Sequence, residues 1–194
     1  MSARPSARDR LLDAAESVLF SDGIRATPVD ELLRQADVSP ATMYAHFGSK
    51  DALVAQALRR RLGSWREVWD AHVLAASDDV SRLLALFDAL AAYREGRTTR
   101  WCAFLATAAE HTAQEDEVAD AVASDTALLT ERLLHLARPL AGARAQELAD
   151  EILLVYNGTL ASFLRGAPTS AVAIGRRLAE SAIQTHLSGA GGRP

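Results

Sequence analysis

Apolar residues along the chain recur every three to four positions, and no run alternates strictly between apolar and polar. Over residues 7–22, Leu11, Leu12, Ala15, Val18, Leu19 and Phe20 share one side of a helix, and Gly23 supplies the stop. Over 28–36, Val29, Leu32, Leu33 and Ala36 point inward. Thr27-Pro28 reads as an N-cap followed by proline at the first helical position, with Asp30 in the first turn. Asp37-Val38 then leads tightly into Ser39-Pro40, a second cap-plus-proline start. The helix that follows is short, because His46-Phe47-Gly48-Ser49 breaks it. Ser49 caps a long fourth helix that begins at Lys50 and ends near Ala76.

Beyond it the period predicts helices over 79–95, 100–111, 116–139, 144–165 and 170–187, joined by the short connections usual between packed helices. The expected fold is therefore all-α, with about nine helices. Three short helices and their lead-in occupy 1–54, with 1–6 as a flexible arm. A larger helical domain covers 55–188, and 189–194 forms a flexible tail.

Composition adds exclusions. Hydrophobic residues are 49% and charged residues 24%, so the 194 residues can bury a sizeable core and do not read as disordered. No window is long and apolar enough for a membrane span, and MSARPSARDR lacks the apolar stretch of a signal peptide. Cys102 is the single cysteine, which rules out an intrachain disulfide; a cytoplasmic address is expected, with no membrane partner. The net charge of −4 opposes nucleic-acid binding only if it is spread evenly. The first 63 residues carry +1 and the remainder −5, a modest asymmetry. Twenty of the 21 basic residues are arginine, which leaves Lys50 as the only lysine.

That lysine closes SPATMYAHFGSK, residues 39–50, where hydrogen-bonding side chains gather on one short segment. Two short helices joined by a tight turn, the second brief and polar, have the geometry of a helix-turn-helix. Val29, Leu33, Val38 and Met43 have the spacing to hold the pair together. Ser39 and Pro40 turn the amino end of the third helix outward, where Ala41, Thr42 and Ala45 can face base edges. Tyr44, His46 and Lys50 offer donors for phosphate oxygens, and Thr27 with the start of the second helix offers a hydroxyl and amides to another. Arg4, Arg8 and Arg10 can add backbone contacts. Tyr44 and Phe47 fit equally as core aromatics of an ordinary bundle, and His46 as the partner of a helix end.

GIRATPVDELLRQADVSPATMYAHFGSKDALV, residues 23–54, resembles the DNA-binding segment of the tetracycline-repressor (TetR/AcrR) family. Gly23, Thr27, Ala36, Val38, Ser39, Tyr44, His46, Phe47, Ser49, Lys50 and Leu53 match its pattern in order and spacing. Pro28 stands where a second threonine is frequent, Leu32-Leu33 replaces the usual Ile-Ala, and Asp37 replaces the turn glycine. Aspartate is among the residues that best tolerate a left-handed turn, so the turn survives the change. The departures bear on operator sequence rather than on DNA binding.

Beyond residue 60 the likeness is weaker. RWCAFLATAAEHTAQEDEVADAV, residues 100–122, is similar to a stretch of some TetR-like C-terminal domains, with Trp101 in place of a glycine. The resemblance implies a helical domain that binds an effector and dimerises through its last two helices, near 144–165 and 170–187. Ile152, Leu153, Tyr156, Leu160, Phe163, Leu164, Val172, Leu178, Ala179, Ala182 and Ile183 provide apolar faces for that interface, or for an internal core.

Trp65, Trp69, Phe87, Tyr93, Trp101, Phe104 and Tyr156, with His72 and Cys102, are the candidate pocket lining. Trp65, Trp69 and His72 share one helical face, which a plain core would also explain. An apolar or aromatic small molecule is the effector expected. Cys102, beside Trp and Phe, reads as a buried, inert thiol. His46, His72, His111, His135 and His186 show no short-range ligand pair, so neither a metal nor a cofactor is expected.

Two functions fit. One is a ligand-responsive, homodimeric repressor that an effector releases from its double-stranded DNA operator. The other is a helical small-molecule-binding protein or enzyme with a vestigial helix-turn-helix. The sequence offers no nucleophile elbow, phosphate loop or metal spacing, and the Glu115-Asp116-Glu117 run suits a helix start.

Overall fold

The computed structural model describes residues 5–95, 102–112 and 116–190. Among them are nine α-helices and no strand: α1 Ala7–Asp22, α2 Val29–Ala36, α3 Pro40–Phe47, α4 Lys50–Ala75, α5 Asp79–Arg94, α6 Ala103–Glu110, α7 Glu117–Ala141, α8 Ala145–Arg165 and α9 Ala171–Ala190. A 3-10 turn, Gly142–Arg144, precedes α8. Helix α7 runs on through Pro139 to Ala141, two residues past the expected end. Helix α9 likewise continues through 189–190, the first residues of the expected tail.

The chain forms two compact units. The first comprises Met1–Gly63 and Thr98–Asp125, the second Ser64–Arg97 and Thr126–Pro194. Helices α4 and α7 each begin in the first unit and end in the second. The first unit is thus larger than the expected 1–54 segment and takes in α6, which lies far from it in sequence.

In the first unit, Leu11, Ala15 and Leu19 of α1 are buried with Leu32 and Ala36 of α2, Met43 of α3, and Leu53, Val54 and Leu58 of α4. Local caps fix where the helices start. Ser6 Oγ accepts the Asp9 N–H at 3.1 Å, and Ser49 Oγ accepts the Ala52 N–H at 3.0 Å. The second helix starts differently from expectation: Pro28 is its N-cap and makes no side-chain cap bond. Proline has no hydroxyl, and that of Thr27 is directed backwards to the Gly23 carbonyl at 2.8 Å.

The second unit is built on α5, α8, α9, the second half of α4 and the part of α7 from Thr126 on. Its buried residues include Trp65, Trp69, Leu83, Phe87, Leu148, Ile152, Tyr156 and Ile183. Gly175 lets α9 approach α8 and α5 closely. A Cβ there would lie 2.2 Å from Thr159 Oγ1 and 3.0 Å from the Phe87 ring. Ile152, Tyr156, Leu160, Ala179 and Ile183, read as apolar faces for a subunit interface or an internal core, are buried within the chain, where α8 and α9 pack on each other. The large apolar side chains exposed on these helices, among the described residues, are Leu154, Leu164, Leu178 and Leu187.

Candidate nucleic-acid interface

Asp37 makes the turn between α2 and α3. Its φ of 52° and ψ of 57° are left-handed, and it ends α2 with two bonds: Asp37 N–H to the Arg34 carbonyl at 3.3 Å and Val38 N–H to the Leu33 carbonyl at 3.2 Å. This pairing satisfies the last carbonyls of α2 and redirects the chain, the task usually given to glycine. Arg10 reinforces it from α1. Its guanidinium donates to the carbonyls of Ala36 (2.8 Å), Asp37 (3.0 Å) and Pro5 (3.0 Å). Arg10, expected to add DNA contacts, is therefore committed to the turn. Arg8 bonds Gln56 and lies over the Phe47 ring at 5.6 Å, and Arg4 lies outside the described residues.

Ser39 caps α3. Its Oγ accepts the Thr42 N–H at 3.2 Å and sits 2.9 Å from Thr42 Oγ1, so the two hydroxyls are paired before any partner arrives. Met43 and Phe47, four apart, are buried and anchor the helix. The opposite side is open: Ser39, Pro40, Ala41, Ala45 and His46 are exposed, Thr42 is half-exposed, and Tyr44 is 53% accessible. Tyr44 is not a core aromatic. Phe47 is. Gly48, at φ 77°, closes the helix with its N–H on the Tyr44 carbonyl at 2.9 Å.

Thr27 and Lys50 depart from expectation. Thr27 is 3% accessible and spends its hydroxyl on Gly23, so its side chain braces the loop between α1 and α2 rather than facing a phosphate. Lys50 Nζ donates to the carbonyls of Ile24 at 2.5 Å and Thr27 at 2.7 Å, using two of its three N–H bonds within the same loop. Its half-buried setting lowers its pKa from the usual lysine value, against the raising influence of Asp51 and Glu110. Sequence reasoning missed Glu110, the last residue of α6, whose Oε2 accepts the Arg25 N–H at 3.0 Å. Nothing in the spacing of residues 23–54 signals a partner 85 positions away.

The candidate effector residues separate into two groups. In the second unit Trp65 is the hub: it stacks on Trp69 (5.7 Å between centroids) and Tyr156 (6.2 Å) and meets Tyr93 edge-on at 5.4 Å, while Phe87 meets Tyr156 at 6.4 Å. Arg132, unforeseen from the sequence, lies 4.3 Å above the Trp69 ring and pairs with Asp70 at 2.6 Å. The indole N–H groups of Trp65 and Trp69 are buried without a hydrogen-bond partner among the described residues. His72 is turned to its own helix, with Nδ1 2.8 Å from the Val68 carbonyl. Cys102 and Phe104 belong to the first unit, and Trp101 lies outside the described residues. Cys102, expected to be buried, is only half-buried; desolvation still pushes its thiol up to about 11, which keeps it protonated near neutral pH.

One histidine does find acidic neighbours. His186 Nε2 is 3.1 Å from Glu151 Oε2, and Glu147, held by Arg144 at 2.8 Å, is close by. The Nδ1 of His186 is buried with no hydrogen-bond partner among the described residues. No helix among the described residues is long and apolar enough to cross a membrane.

Residues 11–57 match the family described as bacterial regulatory proteins, tetR family. The transcriptional regulator BetI of Rhizobium meliloti (strain 1021) is 38% identical over 82 residues, 42% of this chain and 40% of that protein, so the likeness spans less than half of either. BetI of Brucella suis biovar 1 is 25% identical over 95% of this chain and 93% of its own length. Among solved structures, the TetR-family regulator SCO4454 of Streptomyces coelicolor superposes with a TM-score of 0.87 at 21% identity, covering 93% of this chain and 96% of the other. A putative tetR-transcriptional regulator (sav143) of Streptomyces avermitilis gives 0.74 at 27% identity, over 92% and 98%.

Proposed function

We propose that this chain, which belongs to the tetR family of bacterial regulatory proteins, is a homodimeric, ligand-responsive repressor that reads its operator with α3. The family acts in transcription rather than catalysis, and its members bind DNA operators and small-molecule effectors as dimers. The observation that carries the reading is the two-sided α3. Met43 and Phe47 fasten it to the fold, and Ala41, Tyr44, Ala45 and His46 are left exposed on a helix whose amino end Ser39 caps. Ala41, Ala45 and the methyl of Thr42 offer small apolar contacts to base edges, and Tyr44 and His46 offer donors to phosphate. With so few base contacts, DNA shape supplies much of the specificity.

The Trp65, Trp69, Phe87 and Tyr156 cluster supports an apolar or aromatic effector, and its two unpartnered indole donors favour one that also carries an acceptor. Exposed Leu154, Leu164, Leu178 and Leu187 support pairing of α8 and α9 with the same helices of a second copy. Binding of the chain to its own upstream DNA and to random duplex, measured across a salt series, tests the reading. Specific binding is expected to exceed non-specific by a factor of about a thousand or more. Equal, salt-steep affinity for both would remove the repressor claim.

A further inference from the structure

The loop Gly23–Thr27, which delivers the chain from α1 into α2, is gripped from two sides. Lys50, at the start of α4, holds the carbonyls of Ile24 and Thr27. Glu110, at the end of α6, holds the Arg25 N–H at 3.0 Å. The backbone makes room for that second grip. Gly23 has φ of 103°, and a Cβ on it would come within 3.0 Å of Glu110 Oε1. Glycine at 23 therefore satisfies both the left-handed backbone and the close approach of the carboxylate. Thr27 completes the loop by bonding back to Gly23. Three side chains, Lys50, Glu110 and Thr27, from three separate stretches of sequence thus converge on these five residues.

We propose that Glu110 is a positioning residue for operator binding. It touches no DNA. Together with Lys50 it sets the loop that fixes where α2 begins, and α2 with α1 carries α3. This rests on the regulator reading above, and the experiment separates the two. The carboxylate contributes a charge-assisted bond to a backbone donor and an electrostatic hold on Lys50. Glutamine retains the acceptor and loses the charge, whereas alanine loses both.

The sign of the effect distinguishes positioning from simple electrostatics. Removing a negative charge from a protein that binds a polyanion, with nothing else changed, leaves affinity equal or raises it. If Glu110 positions the loop, its removal lowers affinity. The probe is the duplex that the wild-type full-length chain enriches from a random-sequence pool, titrated across a salt series. Glu110→Ala is expected to weaken binding about tenfold. The slope of log affinity against log salt should stay unchanged, because no phosphate contact is lost. Glu110→Gln is expected to recover most of the loss, and Gly23→Ala, which crowds Glu110 from the opposite side, to reproduce it. Glu110→Ala and Gly23→Ala variants that bind as tightly as wild type, or more tightly, overturn the proposal and leave the regulator reading intact. If Glu110→Ala proves unfolded by circular dichroism, a folded Gly23→Ala decides by the same criterion: weaker binding with an unchanged salt slope supports the proposal, and wild-type affinity overturns it. A wild-type chain that enriches no duplex overturns the regulator reading, and this proposal with it.

Discussion

Arg10 donates to the carbonyl of Asp37 at 3.0 Å, so the first helix holds the one non-glycine residue with a left-handed backbone among those described. The same guanidinium also takes the Ala36 carbonyl, and a planar fork suits two successive carbonyls better than a point charge does. Arg10→Ala should lower stability by about 1–2 kcal/mol in urea unfolding. Arg10→Lys should recover little of that. Unchanged stability in both variants would show that the turn stands without its brace.

Ser39 and Tyr44 sit five residues apart and should fail differently. Ser39→Ala removes the α3 cap and should cost about 1 kcal/mol of stability alongside a loss of DNA affinity. Tyr44→Phe keeps the ring and removes only an exposed hydroxyl, so thermal unfolding should not move. Its affinity should drop by a similar factor on specific and random duplexes, as the loss of a phosphate contact requires. A drop confined to the specific duplex would reassign Tyr44 to base reading.

Burial raises the Asp125 carboxyl from 3.8 to about 7. The folded chain therefore keeps a proton that the unfolded chain releases at lower pH. Between these two values folding is progressively disfavoured as pH rises, and above about pH 7 this contribution is constant. The slope from this one group is at most about 1.4 kcal/mol per pH unit. Asp125→Asn should flatten stability between pH 4 and 7 and make the chain more stable than wild type at pH 8. Parallel pH profiles for the two proteins would show that Asp125 is not the group responsible.

Leu154 is 72% accessible on α8 and Leu178 is 51% accessible on α9. Isolated leucines at a protein surface are ordinary, but four on the two helices proposed to pair are more informative. Leu154→Glu with Leu178→Glu should convert a dimer into a folded monomer in sedimentation velocity and weaken DNA binding at least tenfold, since a monomer reads one half-site. A double variant that still sediments as a dimer would move the interface elsewhere.

Much of this was legible in the sequence because helix signals are local. The period of Leu11, Ala15 and Leu19, the proline at 40 after a serine cap, and Gly48 each act within one or two turns, and the helices fall within a few residues of where they are read. Asp37 was legible too, since a tight turn there leaves few conformations open to it. The roles of Thr27, Lys50 and Arg10 were not. Each carries a group that suits phosphate equally well, and only the fold shows that a backbone carbonyl has already claimed it. The aromatic residues are only partly legible for a related reason: helical spacing groups Trp65, Trp69 and His72, but says nothing about Phe104 and Cys102 belonging to another unit. Arg132 above Trp69 and Glu110 beside Arg25 are long-range partners that no local pattern encodes.

Because α6 folds into the same unit as α1–α3 although residues 48–102 intervene, the segment proposed to read DNA is not a transplantable module. A chimera that joins residues 1–63 to the helical half of another regulator keeps α3 intact but inherits whatever residue the donor carries at the end of its own sixth helix. Grafts that restore a carboxylate opposite Gly23 should work better than grafts chosen by overall similarity, and libraries of hybrid sensors can be screened on that single position.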